Sequence, residues 1–382
     1  MNEKYRAELQ ELEESGSLRQ LRNLIHDGSY IIEEERRMLN LSSNDYLGLT
    51  AREDLIDEFY TSISGEDRLP GSCSSRLLTG NSTAYDRLER MIAERFGRES
   101  SLIFNSGYHL NTGVLPALAD GRTLIVADRL VHASIIDGIR LCGTPFERFR
   151  HNDPEHLERI LHKNKDLYSR IIIAVESIYS MDGDVADLPS LVGLKELYPT
   201  VELYVDEAHA IGVRGKTGLG LAEETATIGK IDYLVGTFGK ALASMGAYIV
   251  CDNVVREYLI NRSRSLIFST ALPPATIGWT ELIFRRLPEF VMERKRLEDS
   301  ATLLRDTIKG KGIEMPSSSH IIPYMVGENA PCIALAEHLQ DNGFFVLPIR
   351  HPTVPLHTAR LRFSLTAALD TASIYKLIDI LP

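Results

Sequence analysis

The stretches Asp206-Glu207-Ala208-His209 and Gly236-Thr237-Phe238-Gly239-Lys240 decide how this chain is expected to fold. Each follows an apolar, β-rich run, Val201 to Val205 in the first case and Ile231 to Val235 in the second. Such a run predicts a buried strand, and the polar residues after it then lie at the strand's carboxyl end. In open α/β sheets, this is the edge at which ligands bind.

The residue types in these two stretches suit one cofactor, pyridoxal 5'-phosphate (PLP). The amine of Lys240 can form a Schiff base with the cofactor's aldehyde, and the carboxylate of Asp206 can pair with its protonated pyridine nitrogen. The imidazole of His209 can hydrogen-bond the phenolic oxygen of the ring. The sequence therefore predicts a PLP site at these strand ends.

Helices and strands alternate through the middle of the chain. The pattern predicts, in order, helix 82–96, strand 101–104, helix 108–118, strand 123–127, helix 133–142, strand 145–149, helix 154–162 and strand 170–175. Continuous runs such as Ile171-Ile172-Ile173-Ala174-Val175 fit strands that are buried on both faces. The expected fold is α/β, with a mostly parallel sheet covered by helices.

The two ends of the chain follow other patterns. Residues 2–26 predict one or two amphipathic helices broken near Gly16, and a long charged helical stretch is predicted over 274–309. Beyond it the pattern predicts strand 320–326, helix 332–342, strand 344–349, strand 360–365 and a closing helix. We expect three parts: an N-terminal segment (1–44) that packs with the small domain, a large cofactor-binding domain (45–280) and a small C-terminal α/β domain (281–382).

Composition limits the possible partners of the protein. The 382 residues carry a formal net charge of −11, with a pI near 5.5, which argues against nucleic acid or an anionic membrane as a general partner. The first residues are charged and lack the apolar core of a signal peptide. No apolar run approaches the roughly 20 residues that span a bilayer. A cytoplasmic protein without a metal site is expected.

Three further segments are candidate ligand contacts, each with a plain structural alternative. Asn105-Ser106-Gly107-Tyr108-His109 joins a strand to a helix start, where free N–H groups and the helix dipole favour a phosphate; a simple capped turn is the alternative. His132 could stack on a planar ligand or be a solvated or core histidine. Ser180 could contact a ligand, or its loop could simply form an Asp-Gly turn.

Two arginines near the C-terminus lie on one predicted strand. Arg360 and Arg362 are two residues apart, so both side chains face the same side of the strand. One guanidinium there could hold a carboxylate through two hydrogen bonds. The alternative is an exposed arginine pair on an edge strand.

Taken together, the motifs resemble the α-oxoamine synthase family of PLP-dependent enzymes over essentially the whole chain. The match is carried by the order of seven stretches: Ser43 to Gly48, Asn105 to Tyr108, Asp128 to Ser134, Ser180 to Asp184, Asp206 to His209, Thr237 to Lys240 and Phe268 to Thr270. The resemblance implies fold type I of PLP-dependent transferases, with a sheet of the seven-stranded type. The stretch Gly71 to Arg76 departs from the family because it is less glycine-rich than the usual loop there.

The resemblance also implies a role for individual residues. Catalytic roles fall to Lys240, Asp206, His209 and His132, the last stacking on the cofactor ring. Further cofactor contacts would come from Ser106, Gly107, Tyr108, Ser180, Thr237 and Thr270, with Thr270 reaching the phosphate across a homodimer interface. Asn44, His132 and Arg362 match positions that hold the amino-acid substrate, Thr353 matches a substrate contact, and Arg19 matches a contact to the acyl donor.

The implied reaction is a decarboxylative condensation of an amino acid with an acyl thioester. Within the family, the resemblance carried by the segment Arg350 to Pro355, followed by Thr358 to Arg362, implies L-alanine and a pimeloyl thioester, carried by coenzyme A or an acyl carrier protein. Glycine with acetyl-CoA is the alternative. A catalytically silent subunit of a heteromeric complex is an alternative of another class, against which the intact Lys240, Asp206 and His209 argue.

Overall fold

The computed structural model describes residues 2–382, which divide into two units. The large unit comprises residues 52–180 and 185–294, and the small unit comprises the residues up to Ala51 together with 181–184 and 295–382. The sequence predicts boundaries at 44/45 and 280/281. The structure divides the chain at 51/52 and 294/295 instead, and it assigns the loop 181–184 to the small unit.

The N-terminal part of the small unit begins with one helix. Its elements are α1 (Asn2–Glu14), β1 (Ile25–Asp27), β2 (Tyr30–Glu33) and β3 (Arg36–Asn40). The prediction of helix through residue 26 is wrong beyond Glu14, because Gly16 takes a left-handed backbone conformation (φ +63°) and the Ser17 N–H turns back to the Leu12 carbonyl. The chain after it pairs as an antiparallel hairpin of β1 and β2.

The large unit contains ten helices and seven strands in the alternation that the sequence predicts. They are α2 (Glu53–Ser62), α3 (Thr83–Phe96), β4 (Ser100–Phe104), α4 (Gly107–Leu118), β5 (Thr123–Asp128), α5 (Ala133–Cys142), β6 (Phe146–Phe149), α6 (Pro154–Asn164), β7 (Arg170–Glu176), α7 (Leu188–Leu197), β8 (Val201–Asp206), α8 (Leu221–Glu224), β9 (Tyr233–Thr237), β10 (Ala247–Cys251), α9 (Asn253–Arg262), α10 (Arg264–Ile267) and α11 (Pro274–Arg286). Short 3-10 turns lie at 65–68, 228–230 and 287–289, and a π-helical turn spans Arg76–Gly80.

One seven-stranded sheet forms the centre of the large unit. Its order is β4-β10-β9-β8-β7-β5-β6, and every neighbouring pair is parallel except the two that involve β10. This confirms the predicted α/β fold with a mostly parallel sheet. Residues 171–175 of β7 are buried, as expected of a strand with both faces covered.

The chain re-enters the small unit inside a helix. The elements are α12 (Val291–Gly310), β11 (Ile321–Gly327), α13 (Asn329–Asp341), β12 (Phe344–Phe345), β13 (Pro348–Ile349), β14 (Ala359–Ser364) and α14 (Thr371–Ile380). The predicted helix 274–309 is interrupted at the 3-10 turn 287–289, because Pro288 has no N–H to donate.

The small unit contains two sheets, ordered β1-β2-β3-β12 and β11-β14-β13. The single predicted strand 344–349 is therefore wrong. Its first half pairs with β3 and its second half with β14, and the chain between them bonds elsewhere, with the Leu347 N–H donating to Ser42 Oγ. Across residues 2–382, the structure shows no helix of the length and apolarity needed to cross a membrane.

Candidate active site

Lys240 lies in a tightly bonded loop between β9 and β10. The hydroxyl of Thr237 donates to the Gly246 carbonyl (2.9 Å), and the Phe238 N–H donates to the same oxygen (2.9 Å). The buried ring of Phe238 stacks on Tyr248, with 5.4 Å between ring centroids. These bonds fix the backbone on which the lysine stands.

The amine of Lys240 lies beside the imidazole of His209. The distance from Nζ to Nε2 is 2.7 Å, and His209 is buried just after the carboxyl end of β8. The parallel pairing of β8 with β9 brings these two strand ends together. The structure therefore unites two of the predicted catalytic residues.

Asp206 is the last residue of β8 and is buried. One carboxylate oxygen accepts the Ala208 N–H (3.0 Å), and the other accepts an N–H of the Asn111 side-chain amide (3.0 Å). These two donors fix the plane of the carboxylate. Each oxygen keeps further acceptor capacity for a ligand.

His132 caps the N-terminus of α5. Its Nδ1 accepts the Ser134 N–H (3.2 Å) and lies 2.8 Å from Ser134 Oγ. Burial lowers the pKa of His132, and the positive charge of Lys240 lowers it further, although Asp206 and Asp137 act in the opposite sense. The ring is therefore neutral near pH 7, which suits stacking on a planar ligand.

The predicted anion site lies at the start of α4. Ser106 is the N-cap and accepts the His109 N–H (3.2 Å), and a side chain added at Gly107 would come within 3.9 Å of Thr237. Tyr108 is half exposed, and its hydroxyl donates to Asp137 (2.9 Å). The free N–H groups at the start of this twelve-residue helix favour a phosphate. The capping bond of Ser106 is also what a simple capped turn requires.

Ser180 and Thr270 lie on loops of the large unit. Ser180 is buried, in a loop that the antiparallel bridge between Ile178 and Val185 closes. Thr270 is exposed, and its carbonyl accepts a hydrogen bond from Asn105 Nδ2 (2.6 Å). The exposure of Thr270 is compatible with a contact to a second subunit.

Asn44 and Arg362 meet in the small unit. Arg362 Nη1 donates to Asn44 Oδ1 (3.3 Å) and to Ser364 Oγ (2.6 Å), and Nη2 donates to the Tyr46 hydroxyl (3.4 Å). Arg362 is half-buried on β14. The two residues that the resemblance pairs for carboxylate binding are thus neighbours, although they are far apart in sequence.

Arg360 has a different environment on the same strand. It is buried and forms an ion pair with Asp182, which belongs to the loop 181–184 of the small unit. The alternative of an exposed arginine pair on an edge strand is wrong, because β14 is the central strand of its sheet. The Asp182 carboxylate already engages Arg360.

Arg19 and Thr353 also meet in the small unit. Arg19 Nη2 donates to Thr353 Oγ1 (2.8 Å), and both residues are exposed. Arg350 donates to the backbone carbonyls of Gly16 and Leu18 and so holds the segment that precedes Arg19. The guanidinium of Arg19 keeps most of its donors for a ligand.

The sequence argument missed three polar residues beside the cofactor candidates, namely Asn111, Ser134 and Glu176. Glu176 ends β7 and lies directly opposite Asp206 of β8, and its Oε1 is buried without a hydrogen-bond partner. Burial and the charge of Asp206 raise the pKa of Glu176 well above its usual value, against smaller opposite effects of Lys240 and the His132 N–H. Glu176 could have been found from the sequence, because it ends an apolar strand in the same way as Asp206.

Comparison with known proteins identifies the family. The aminotransferase class I and II family model matches residues 36–381. A protein of Pasteurella multocida named "putative 8-amino-7-oxononanoate synthase" is 55% identical over 377 residues, covering 98% of this chain and 97% of its own. This chain belongs to the aminotransferase class I and II family.

Solved structures place it further within that family. A serine palmitoyltransferase from S. paucimobilis with bound PLP-myriocin aldimine is similar at a TM-score of 0.89 and 26% identity, covering 99% of this chain and 96% of the other. An 8-amino-7-oxononanoate synthase from Francisella tularensis has a TM-score of 0.72 and 25% identity, covering 90% and 96%. The chain is a PLP-dependent enzyme of the α-oxoamine synthase type.

The residues present fit PLP. A lysine amine, a buried carboxylate with spare acceptor capacity and a capped helix N-terminus supply partners for an aldehyde, a pyridinium nitrogen and a phosphate. The bound cofactor supplies an electron sink for carbanion chemistry. Lys240, Asp206, His209 and the start of α4 are the residues that would hold it.

Glu176→Gln is expected to change how the unfolding temperature of the PLP-free protein depends on pH. The native state keeps a proton on Glu176 that the unfolded chain releases above its usual pKa of 4.5. Between the unfolded and native pKa values, stability falls by up to about 1.4 kcal/mol per pH unit. Glutamine lacks this loss, so the Tm of the variant should rise relative to that of wild type as the pH increases above 4.5.

Glu158→Gln is the matched control for this measurement, since Glu158 is an exposed residue of α6. Thermal melts of the three proteins at several pH values would decide. A difference between Glu176→Gln and wild type that stays constant from pH 5 to pH 8 would contradict a protonated Glu176.

Proposed function

We propose that this enzyme condenses L-alanine with a pimeloyl thioester, with loss of carbon dioxide, to give 8-amino-7-oxononanoate in biotin biosynthesis. The identity of about 55% to the P. multocida protein over nearly the full length of both chains supports this proposal. So does the pairing of candidate substrate residues inside the small unit. The thiol carrier is coenzyme A or an acyl carrier protein.

The contact between Arg19 and Thr353 is the observation that carries the choice of acyl donor. A pimeloyl chain ends in a carboxylate, which needs a cation or several N–H donors at the far end of its site. Arg19 is an exposed cation held by a 2.8 Å bond to Thr353, and Arg350 fixes the preceding backbone. An acetyl group has no distal charge and would gain nothing from this arrangement.

The amino-acid carboxylate is assigned to Arg362. Its guanidinium is half-buried and oriented by Asn44, Tyr46 and Ser364, so it is preorganised for an anion. Arg360 is the less suitable arginine because Asp182 already neutralises it. The Asn44 amide adds N–H donors beside the same guanidinium.

Lys240 is assigned the proton transfer at the α-carbon of the amino acid. Its amine lies 2.7 Å from His209 Nε2, so the imidazole can hold the free amine of Lys240 by a hydrogen bond. Asp206, oriented by two N–H donors, would pair with the pyridinium nitrogen of the bound cofactor. These residues together stabilise charge that develops at the α-carbon.

Steady-state turnover with two donor–acceptor pairs tests the proposal. The kcat/KM for pimeloyl-CoA with L-alanine should exceed that for acetyl-CoA with glycine, since specificity is a difference in transition-state binding. Arg19→Ala should raise the KM for the pimeloyl donor about tenfold, the size expected of one lost charge-assisted hydrogen bond. Arg22→Ala is the control, because Arg22 is a nearby exposed arginine paired with Glu33.

A second test of the proposal uses the distal carboxylate of the pimeloyl chain. Wild-type enzyme should prefer pimeloyl-CoA over its monomethyl ester, and Arg19→Ala should lose that preference. Higher kcat/KM for acetyl-CoA with glycine would transfer the assignment to a glycine C-acetyltransferase. No turnover of either pair by fully PLP-loaded protein would favour a silent subunit.

Arg362→Ala should weaken the use of L-alanine strongly, because the oriented cation for its carboxylate is lost. The expected change is a rise in the KM for alanine of tenfold or more, with the Tm little altered. Arg360→Ala should instead lower the Tm, since it leaves Asp182 beside a buried gap. A larger KM effect from Arg360→Ala at unchanged Tm would show that the wrong arginine is assigned.

We also propose that the enzyme is a homodimer whose active sites use residues of both subunits. Thr270 is exposed, as are Phe268 on the same loop and Leu78 on the π-helical turn. Large exposed apolar side chains close together mark interaction surfaces. Light scattering of active enzyme should give the mass of two chains, and a fully active monomer would contradict the proposal.

A further inference from the structure

The side-chain amide of Asn111 links the end of β8 to the first turn of α5. Its Nδ2 donates to Asp206 Oδ2 (3.0 Å) and to Ser134 Oγ (2.9 Å), and its Oδ1 accepts the Tyr204 hydroxyl (2.5 Å). Asn111 lies one turn into α4, a mostly apolar helix, and is buried. All the hydrogen-bonding groups of this amide are therefore engaged inside the large unit.

A close approach of two helices brings these groups together. Gly138 of α5 faces the backbone of Asn111 on α4, and a Cβ at Gly138 would lie 2.5 Å from the Asn111 carbonyl oxygen. Any larger residue there would push the helices apart. Ser134 lies one turn earlier on α5, which places its hydroxyl within reach of the amide.

The orientation of the amide follows from its neighbours. Asp206 can only accept in its charged form, so the NH₂ group of Asn111 must face it. The oxygen then faces Tyr204, whose hydroxyl is a donor because burial raises its pKa well above the ordinary value. A flipped amide would set two acceptors 3.0 Å apart.

The same chain of donors sets the proton of His132. Ser134 Oγ accepts from Asn111, so its own hydrogen is directed at His132 Nδ1, 2.8 Å away. The Ser134 N–H points to the same nitrogen. Nδ1 is therefore an acceptor, and the single proton of the neutral ring lies on Nε2.

We propose that Asn111 is a positioning residue for the cofactor site, whose one buried amide fixes both the carboxylate of Asp206 and the tautomer of His132. It acts through these two residues and touches no reacting atom. Loss of the amide leaves the Asp206 carboxylate without one N–H donor, and it removes the donor that directs the Ser134 hydroxyl towards His132. The proposal does not depend on which acyl donor or amino acid the enzyme uses.

Asn111→Leu and Asn164→Leu form a matched pair for the test. Asn164 is also a buried amide in the large unit, and its Nδ2 also donates to a carboxylate, that of Glu147 (3.0 Å), and to the Ile160 carbonyl. It lies on α6, and its side-chain hydrogen bonds are to Glu147 and Ile160. Both variants replace an amide by an apolar side chain of similar size, so both carry a comparable packing change.

Two measurements are made on each folded variant. Titration of the PLP-free protein with PLP, followed by imine absorbance, should show a Kd at least tenfold above wild type for Asn111→Leu and within threefold for Asn164→Leu. Nitrogen-15 spectra of histidine-labelled protein, with His132 assigned from His132→Asn, report which ring nitrogen carries the proton. Wild type and Asn164→Leu should show the Nε2–H form. Asn111→Leu should show a larger share of the Nδ1–H form, because only the longer contact from the Ser134 N–H (3.2 Å) then still favours Nε2–H.

The proposal requires both changes together, since one amide serves both residues. A Kd within threefold of wild type for Asn111→Leu, or an unchanged His132 spectrum, would overturn it, as would an Nδ1–H ring in wild type. If Asn111→Leu does not fold, Ser134→Ala decides. It should alter the His132 spectrum while changing the Kd for PLP less than threefold, and an unaltered spectrum would overturn the proposal.

Discussion

The in-register parallel pairing of β7, β8 and β9 is the constraint on which the site depends. Glu176 is opposite Asp206, and Asp206 is opposite Val235. The carboxyl ends of the three strands therefore lie side by side in the sheet. The polar residues that follow each apolar strand are thereby gathered at one edge of the sheet. Because side chains alternate between faces, a slip of one residue would turn Asp206 away from Asn111. The buried side chains of β7 on both faces hold this register.

The register places two buried carboxyl groups, those of Glu176 and Asp206, next to each other. Two adjacent buried carboxylates cannot both ionise without a large penalty. The two carboxylates differ in their hydrogen bonds. Each oxygen of Asp206 accepts an N–H group, while Oε1 of Glu176 has no partner. Burial and the neighbouring Asp206 raise the pKa of Glu176 well above its usual value, so Glu176 keeps a proton. Burial likewise lowers the pKa of His132 and keeps its ring neutral near pH 7.

Much of this arrangement could be predicted from sequence, because strand ends are visible in the pattern of apolar residues. The runs before Asp206 and Lys240 identified both residues, and the alternation of elements identified the sheet. Asn111 could not be found this way, since nothing in a helical sequence shows that its one amide faces a strand end and a neighbouring helix. The split of residues 344–349 between two sheets was also hidden, because it depends on partners such as β3 that lie about 300 residues away. The two arginines of β14 look alike in sequence, and only the contact of Arg360 with Asp182 distinguishes them.

The central claim is that Lys240 holds the cofactor covalently. The most direct measurement is borohydride reduction of the PLP-loaded enzyme, followed by digestion and mass spectrometry of the labelled peptide. The account predicts one pyridoxyl group per chain, attached to Lys240, and no such label in Lys240→Ala. A label on any other lysine, or full turnover by Lys240→Ala, would contradict it.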